Sequence, residues 1–420
     1  MRLDTSIAQE IMRRIAALAC YTEQAGMLTR TYLSDAHQGA AVEIAAWMKQ
    51  AGMVVRRDAA GNVIGRYEGL DPTAAALATG SHFDTVRNGG HYDGPLGIVL
   101  PISCIAAWSQ QGCRFPFAIE VMAFSEEEGV RFKATLLGSR AIAGTFDTGV
   151  LDNVDDAGKT MRGTMLAAGF DPADLPAAAY RAEQLAGFVE VHIEQGPVLL
   201  DEGLALGVVT AISGATRFMV DIKGSAGHAG TVPMALRHDA AMAAAEIALY
   251  IEGRCASVPG VVGTVGQLTV PNGAVNVIPG AAQMSIDMRA GDDALRTQAT
   301  ADVMAEIDRI CLRRGVDVTV RKTYDASSVA CSGALQQQWA ETLTRCGLAA
   351  RHLVSGAGHD TMAMATVTDA AMLFVRCGNG GISHHPDESM TADDAALAAA
   401  AFMDFVVHFR APAAFRAEGR

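Results

Sequence analysis

Between Gly80 and Gly97 the chain reads GSHFDTVRNGGHYDGPLG, which sets two histidines and two carboxylates among several glycines. His82 and Asp84 are separated by one residue, so on an extended backbone they project to the same side. There Asp84 can hold one imidazole nitrogen while the other faces a metal. Asp93, further along the same loop, is the next candidate ligand. The same stretch also makes an ordinary polar loop in which Gly89, Gly90, Gly94 and Gly97 only turn the chain. A second cluster bears on that choice. Ser125-Glu126-Glu127-Glu128-Gly129 crowds three carboxylates together. At a strand end their repulsion calls for cations, whereas on an exposed loop they form a solvated acidic patch.

The elements that must carry these residues follow from apolar runs. Residues 75–78 form an apolar run ending in Gly80-Ser81, which reads as a buried strand delivering its last residues to a loop at a sheet edge. Residues 117–124, FAIEVMAF, read as a second buried strand leading into the three carboxylates. A third strand is expected at 187–193, with Val189, Val191 and Ile193 on one face and Glu190, His192 and Glu194 on the other. Before them, 41–51 has helical spacing and stops at Gly52, and 54–58 with 62–67 flank Ala59-Ala60-Gly61 as a hairpin. Helices are expected at 98–110 and 136–144, and 151–185 reads as a surface excursion.

After Leu206 the pattern changes. Strands at 216–223, 261–270 and 284–289 and long helices at 239–254 and 294–313 suggest a small α+β sandwich. Residues 332–420 then return to alternating helix and strand, with 370–375 apolar and His384 just after a glycine-rich turn. The expected organisation is α/β, with a catalytic domain built from 1–212 and 328–420 around an inserted domain at 213–327. The connections near 212 and 328 would act as hinges.

Composition bounds the class. At 420 residues, half of them apolar, the chain can bury two cores. A formal charge of −13 argues against nucleic acid as a partner. No stretch is apolar enough to span a membrane, and Met1-Arg2-Leu3-Asp4 runs into an amphipathic helix (Ile7, Ile11, Ile15, Leu18) with no signal region, so a cytoplasmic location is expected. The eight cysteines lack CxxC pairing and read as reduced thiols.

Taken together, HxDTVxxGGxYDG, EEEGVRF, VEVHIEQGPVL at 189–199, GSAGHAGTVPMALRHDA at 224–240, NVIPG at 276–280 and GISHHPDE at 381–388 resemble the amidase, hydantoinase and carbamoylase branch of the M20 metallopeptidase-like family. The resemblance runs through nearly the whole chain, in order. It implies a catalytic domain with a central mixed sheet flanked by helices, and an inserted sandwich serving as lid and dimerisation domain. It also implies two divalent ions per subunit, Zn²⁺ or Mn²⁺, about 3.5–4 Å apart and sharing one carboxylate. Carried over motif by motif, Asp93 is the bridge, His82 and His192 complete one metal, and Glu128 and His384 the other. Glu127 is then the base that takes a proton from the water, and Asp84 the residue that orients His82. Glu126 is left as a solvated or supporting carboxylate.

His228, in the inserted domain, is implied as an electrophile toward the oxygen that becomes negative on attack. Arg289 and Asn276 resemble the branch's carboxylate-binding pair and Gln195 a contact to the ureido or carboxylate group, with Arg217 a further candidate or a solvated strand edge. His385 could compete with His384, and His359 reads equally as structural or substrate-facing. His91 lies in a motif beside an expected ligand, and His37, His238, His352 and His408 read as packing or surface residues. The substrate implied is a small anionic ureido compound, with allantoate ahead of N-carbamoyl-L-amino acids and ureidoglycolate, and the assembly a homodimer in which His228 serves the neighbouring subunit's metals. The contrasting reading is a binding protein on an inactive scaffold, which a complete set of ligands and base disfavours.

Overall fold

The computed structural model describes residues 5–412. The chain divides into two compact units. One contains residues up to Thr210, Cys331–Leu353 and the chain from Gly358 onward, and the other Ala211–Ala330 with Val354–Ala357. The return of 354–357 to the second unit was not anticipated.

In the first unit, hydrogen-bonded strands follow the order Val54–Arg57, Val63–Tyr67, Ile119–Phe124, Ala76–His82, Leu185–Ile193, Ala370–Val375 and Leu206–Ile212. Four neighbours, from Ile119–Phe124 to Ala370–Val375, are mutually parallel, and the outer pairings are antiparallel. The parallel strands are buried along almost their whole length, as a sheet covered on both faces requires. This is why 185–193 shows no exposed face despite its alternation. Helices Thr5–Leu18, Pro95–Gln110 and Ala392–Val407 pack together on one side. On the other, Ile142, Met364 and Val367 join Met122, Phe124 and Phe188 in a core cluster.

Three expectations change. The strand expected from 117 begins at Ile119. The excursion at 151–185 holds short helices, and Leu151, Met161, Met165 and Leu175 bury against Tyr32, Leu33 and Phe132 as a core of their own. In the second unit, the single strand expected over 261–270 is two, Val261–Thr264 and Leu268–Thr269. A further strand, Asp317–Ala326, escaped notice because it lies at the sheet margin and is mostly exposed and polar. That unit is an antiparallel sheet in which Gly214–Lys223 pairs with Ala281–Ala290 and Asp317–Ala326. Helices Ala240–Ala256 and Asp293–Arg314 cover it through Val220, Ile222, Ile247, Met284, Val303 and Ile307.

Candidate metal centre

Parallel strands deliver their carboxyl ends to one edge of a sheet, and all the candidate ligands of the first unit come from there. His82 ends its strand, Glu126, Glu127 and Glu128 follow Phe124, His192 is the last but one residue of Leu185–Ile193, and His384 lies in the loops after Val375.

Asp93 is the centre of the group. Its Oδ1 is 3.2 Å from His192 Nε2 and 3.5 Å from His82 Nε2. Its Oδ2 is 3.2 Å from His384 Nε2, which is in turn 3.7 Å from Glu128 Oε1. His82, Asp93 and His192 thus make one cluster of donor atoms, and Asp93, Glu128 and His384 another. Each oxygen of Asp93 faces one set. The residue after it, Gly94, has φ 83°, and a Cβ there would run into the carbonyl and ring of His82. Helix Pro95–Gln110 starts at that point, so its N-terminal dipole favours the ionised Asp93.

Asp84 ties the loops together. Its two oxygens accept the backbone N–H groups of Glu127 and Glu128 at 3.0 and 3.1 Å, and Oδ1 lies 3.3 Å from His82 Nδ1. His192 Nδ1 lies 2.8 Å from the Ile193 carbonyl, and donation there leaves Nε2 as the acceptor facing Asp93. Below them, Glu190 is buried but satisfied, accepting from the Ser81 hydroxyl and from the N–H and hydroxyl of Thr361.

Charge is distributed as such packing demands. Burial pushes against ionisation of Asp93, yet its close pairing with His192, His384 and His82 holds its carboxylate well below the usual range. Burial raises Glu127, with the Glu128 charge adding to it, and raises Glu128 to about 7, with Asp93 adding. The Asp93 hydrogen bond lifts His384 to about 9. Histidines that attract protons beside carboxylates that resist losing them form a site short of positive charge, which a divalent cation supplies. The mixed nitrogen and oxygen donors suit Zn²⁺ or Mn²⁺.

Other residues sort themselves by position. Glu126 is fully buried, which removes the solvated alternative. His385 turns to Asp387, 3.6 Å away, and does not compete with His384 for Asp93. His359 is buried with its ring edge-on to His192 at 4.5 Å. His37 is a packing residue of the interior, stacked 4.3 Å from Phe83 with Nε2 2.6 Å from the Ser125 carbonyl. Sequence reasoning missed Arg30, a fully buried guanidinium bonded to the carbonyls of Phe83 and Leu18 behind the His82 loop. Only its place in a loop before the first metal-binding motif hinted at it. It missed Glu388 as well.

Among the residues expected to meet substrate, Gln195 lies at the centre itself, its Nε2 donating to Asp93 Oδ2 at 2.9 Å. The rest belong to the second unit. His228 and Asn276 come together on a two-stranded ribbon, where Val277 pairs with His228 and the Asn276 carbonyl accepts from Ala229 N–H. His228 Nδ1 accepts the Gly230 N–H at 3.0 Å, which puts the proton of the neutral ring on Nε2. Arg289 does not present an unshared fork: Nε and Nη2 each donate to Asp287 at 2.9 Å, and Nη1 to the Gly356 carbonyl at 2.7 Å. Arg217 also donates to Asp287, at 2.9 Å. Its strand is paired on both sides, so it is not a strand edge. The three side chains line a cavity of about 700 Å³ on the open side of the sheet.

Residues 78–408 match the family model described as Peptidase family M20/M25/M40. The chain is 39% identical to a probable allantoate deiminase of Oryza sativa subsp. japonica, over 95% of this chain and 88% of that protein. It is 38% identical to an N-carbamoyl-L-amino acid amidohydrolase of Geobacillus stearothermophilus, over 90% of this chain and 92% of the relative. A solved amidase of the hydantoinase/carbamoylase family from Burkholderia multivorans shares 31% identity and a TM-score of 0.90, covering 95% of this chain and 97% of its own.

Proposed function

Because the chain belongs to peptidase family M20/M25/M40 and is an amidohydrolase within it, we propose that it hydrolyses the ureido group of a small carboxylate, with allantoate as substrate. The observation that carries the reading is Asp93, with one carboxylate oxygen toward His82 and His192 and the other toward His384. His82, Asp93 and His192 would hold one divalent ion, and Asp93, Glu128 and His384 a second. The ions, when bound, supply Lewis-acid polarisation of the ureido carbonyl and a water acidified toward neutrality.

The protein's own groups do the rest. Glu127 accepts a proton from the water as its oxygen joins the ureido carbon. The oxygen that becomes negative is met by the Nε2–H of His228. Glu127 then returns the proton to the leaving nitrogen as the C–N bond breaks. Carbamate departs and falls apart to ammonia and carbon dioxide, and ureidoglycine remains. Gln195, Asn276 and Arg289, with Arg217 beside it, orient the substrate's ureido and carboxylate groups. Asp287 gathers the two guanidinium groups, so the cluster keeps a net positive charge for an anion.

The working assembly is a cytoplasmic homodimer with shared sites, each built from Glu127 of one subunit and His228 of the other. Support comes from His228, which stands exposed, and from Met242 and Leu249, exposed on the outer side of helix Ala240–Ala256. Among the described residues, no helix is long and apolar enough to cross a membrane. Ammonia release measured side by side on allantoate, N-carbamoyl-L-amino acids and ureidoglycolate, with manganese or zinc supplied, tests the reading. Fastest turnover on allantoate is expected. Faster turnover on either of the others reassigns the substrate, and none on any of them removes the function.

A further inference from the structure

Glu388 is buried, and its carboxylate joins two loops from opposite ends of the chain. Oε1 accepts the backbone N–H of Tyr92 at 2.8 Å and that of Asp93 at 3.2 Å. Oε2 accepts the hydroxyl of Ser383 at 2.6 Å. The fit is close enough that a Cβ at Gly90 would overlap the Glu388 carboxyl group. Each segment it grips carries a donor of the centre: Asp93 in the first, and His384, next to Ser383, in the second.

The two donor sets depend on this clasp unequally. His82 and His192 sit on strands whose register the sheet maintains, and His192 Nε2 also accepts the Gly94 N–H at 3.2 Å. His384 has no such frame. It lies in a loop, about half exposed, and its backbone is held at φ 55°, a left-handed conformation that a non-glycine residue keeps only when its surroundings impose it. Ser383 and Glu388 are neighbours that can impose it.

We propose that Glu388 is a positioning residue that sets the distance between Asp93 and His384, and so assembles the Asp93–Glu128–His384 donor set without touching the ions or the substrate. Glu388 uses one oxygen for both N–H groups and the other for Ser383, so a carboxylate meets all three donors at once. Alanine removes every tether. Glutamine keeps a carbonyl oxygen for the two N–H groups, and its amide can donate to a rotated Ser383 hydroxyl. Ser383→Ala cuts the second tether alone.

The inference rests on the two-metal reading, so its test begins with the ions. Stripped wild-type protein, Glu388→Ala, Glu388→Gln and Ser383→Ala are titrated with Zn²⁺ or Mn²⁺ alone, and stoichiometry and affinity are read by elemental analysis and competition with a chelator. Wild type is expected to bind two ions per chain. Glu388→Ala should keep one and hold the other at least tenfold more weakly, with Ser383→Ala intermediate and Glu388→Gln near wild type. Fewer than two ions on wild type would overturn the two-metal reading itself. Two ions on wild type and two equally tight ions on Glu388→Ala would overturn the positioning role alone. Should Glu388→Ala not fold, unweakened binding of both ions by Ser383→Ala would overturn it instead.

Discussion

Asp93 and His228 belong to regions built on opposite plans. Around Asp93, groups from three strand ends and two loops touch one another, and His82, Asp84, Asp93 and His192 are all buried. His228 stands exposed on a ribbon with two residues in each strand, beside the Asn276 segment. The same contrast holds for charge. In the first unit the histidines and carboxylates satisfy one another while remaining short of positive charge. In the second, Arg217 and Arg289 share one aspartate and leave an excess of it. A donor set for metal has to keep its geometry whether or not substrate is present, and buried strand ends achieve that through sheet register and desolvated hydrogen bonds. Groups that only meet a substrate need access, and the second unit supplies it.

The largest effects are expected at the adjacent carboxylates Glu127 and Glu128. Glu127→Gln should lower turnover on the order of 10²-fold or more with metal content intact, whereas Glu128→Gln should lose an ion. Elemental analysis showing the reverse pattern would exchange the two roles. The second unit is probed by subunit exchange. Inactive His228→Ala and inactive Glu127→Gln proteins, mixed, should recover about a quarter of wild-type activity, since half the dimers are mixed and each has one intact site of two. No recovery despite demonstrated exchange means that His228 does not serve a neighbouring subunit.

A smaller effect is expected at the arginine pair. Arg289→Lys keeps the charge but loses the fork by which Asp287 and the Gly356 carbonyl hold it in place, so the positive charge beside Arg217 is no longer fixed and apparent affinity for every carboxylate-bearing substrate should fall together by roughly tenfold. Unchanged KM values would shift the anion contact to Arg217. The smallest and most graded effect is on pH. In the metal-free protein Glu128 is raised to about 7 and His384 to about 9, so both still hold protons at neutral pH or just below it, and an ion must displace them. Apparent affinity for the ion beside His384 should therefore rise as pH rises from about 6 to 9 and weaken on acidification. A chelator-competition series that stays flat across that interval would contradict the protonation pattern.

Much of this centre was legible before any fold was in hand. The pairing of His82 with Asp84, the run from Glu126 to Glu128 and the His192 strand are local patterns, and a strand that ends in polar residues announces where it delivers them. The long helices of the second unit were legible for the same reason. Its polar strand Asp317–Ala326 was not, because only pairing with Gly214–Lys223 makes it a strand.

Residue types and spacing along single elements determined, by themselves, that histidines and carboxylates follow buried strands and that the pattern changes after Leu206. Tertiary structure alone decided that Glu126 is buried, that Arg289 spends its fork on Asp287, and that Glu388 clasps two distant loops. The reason is physical. Periodicity sets a side chain's direction within a strand or helix, whereas in a loop it follows from backbone angles that contacts with remote segments impose, as at His384 with φ 55°.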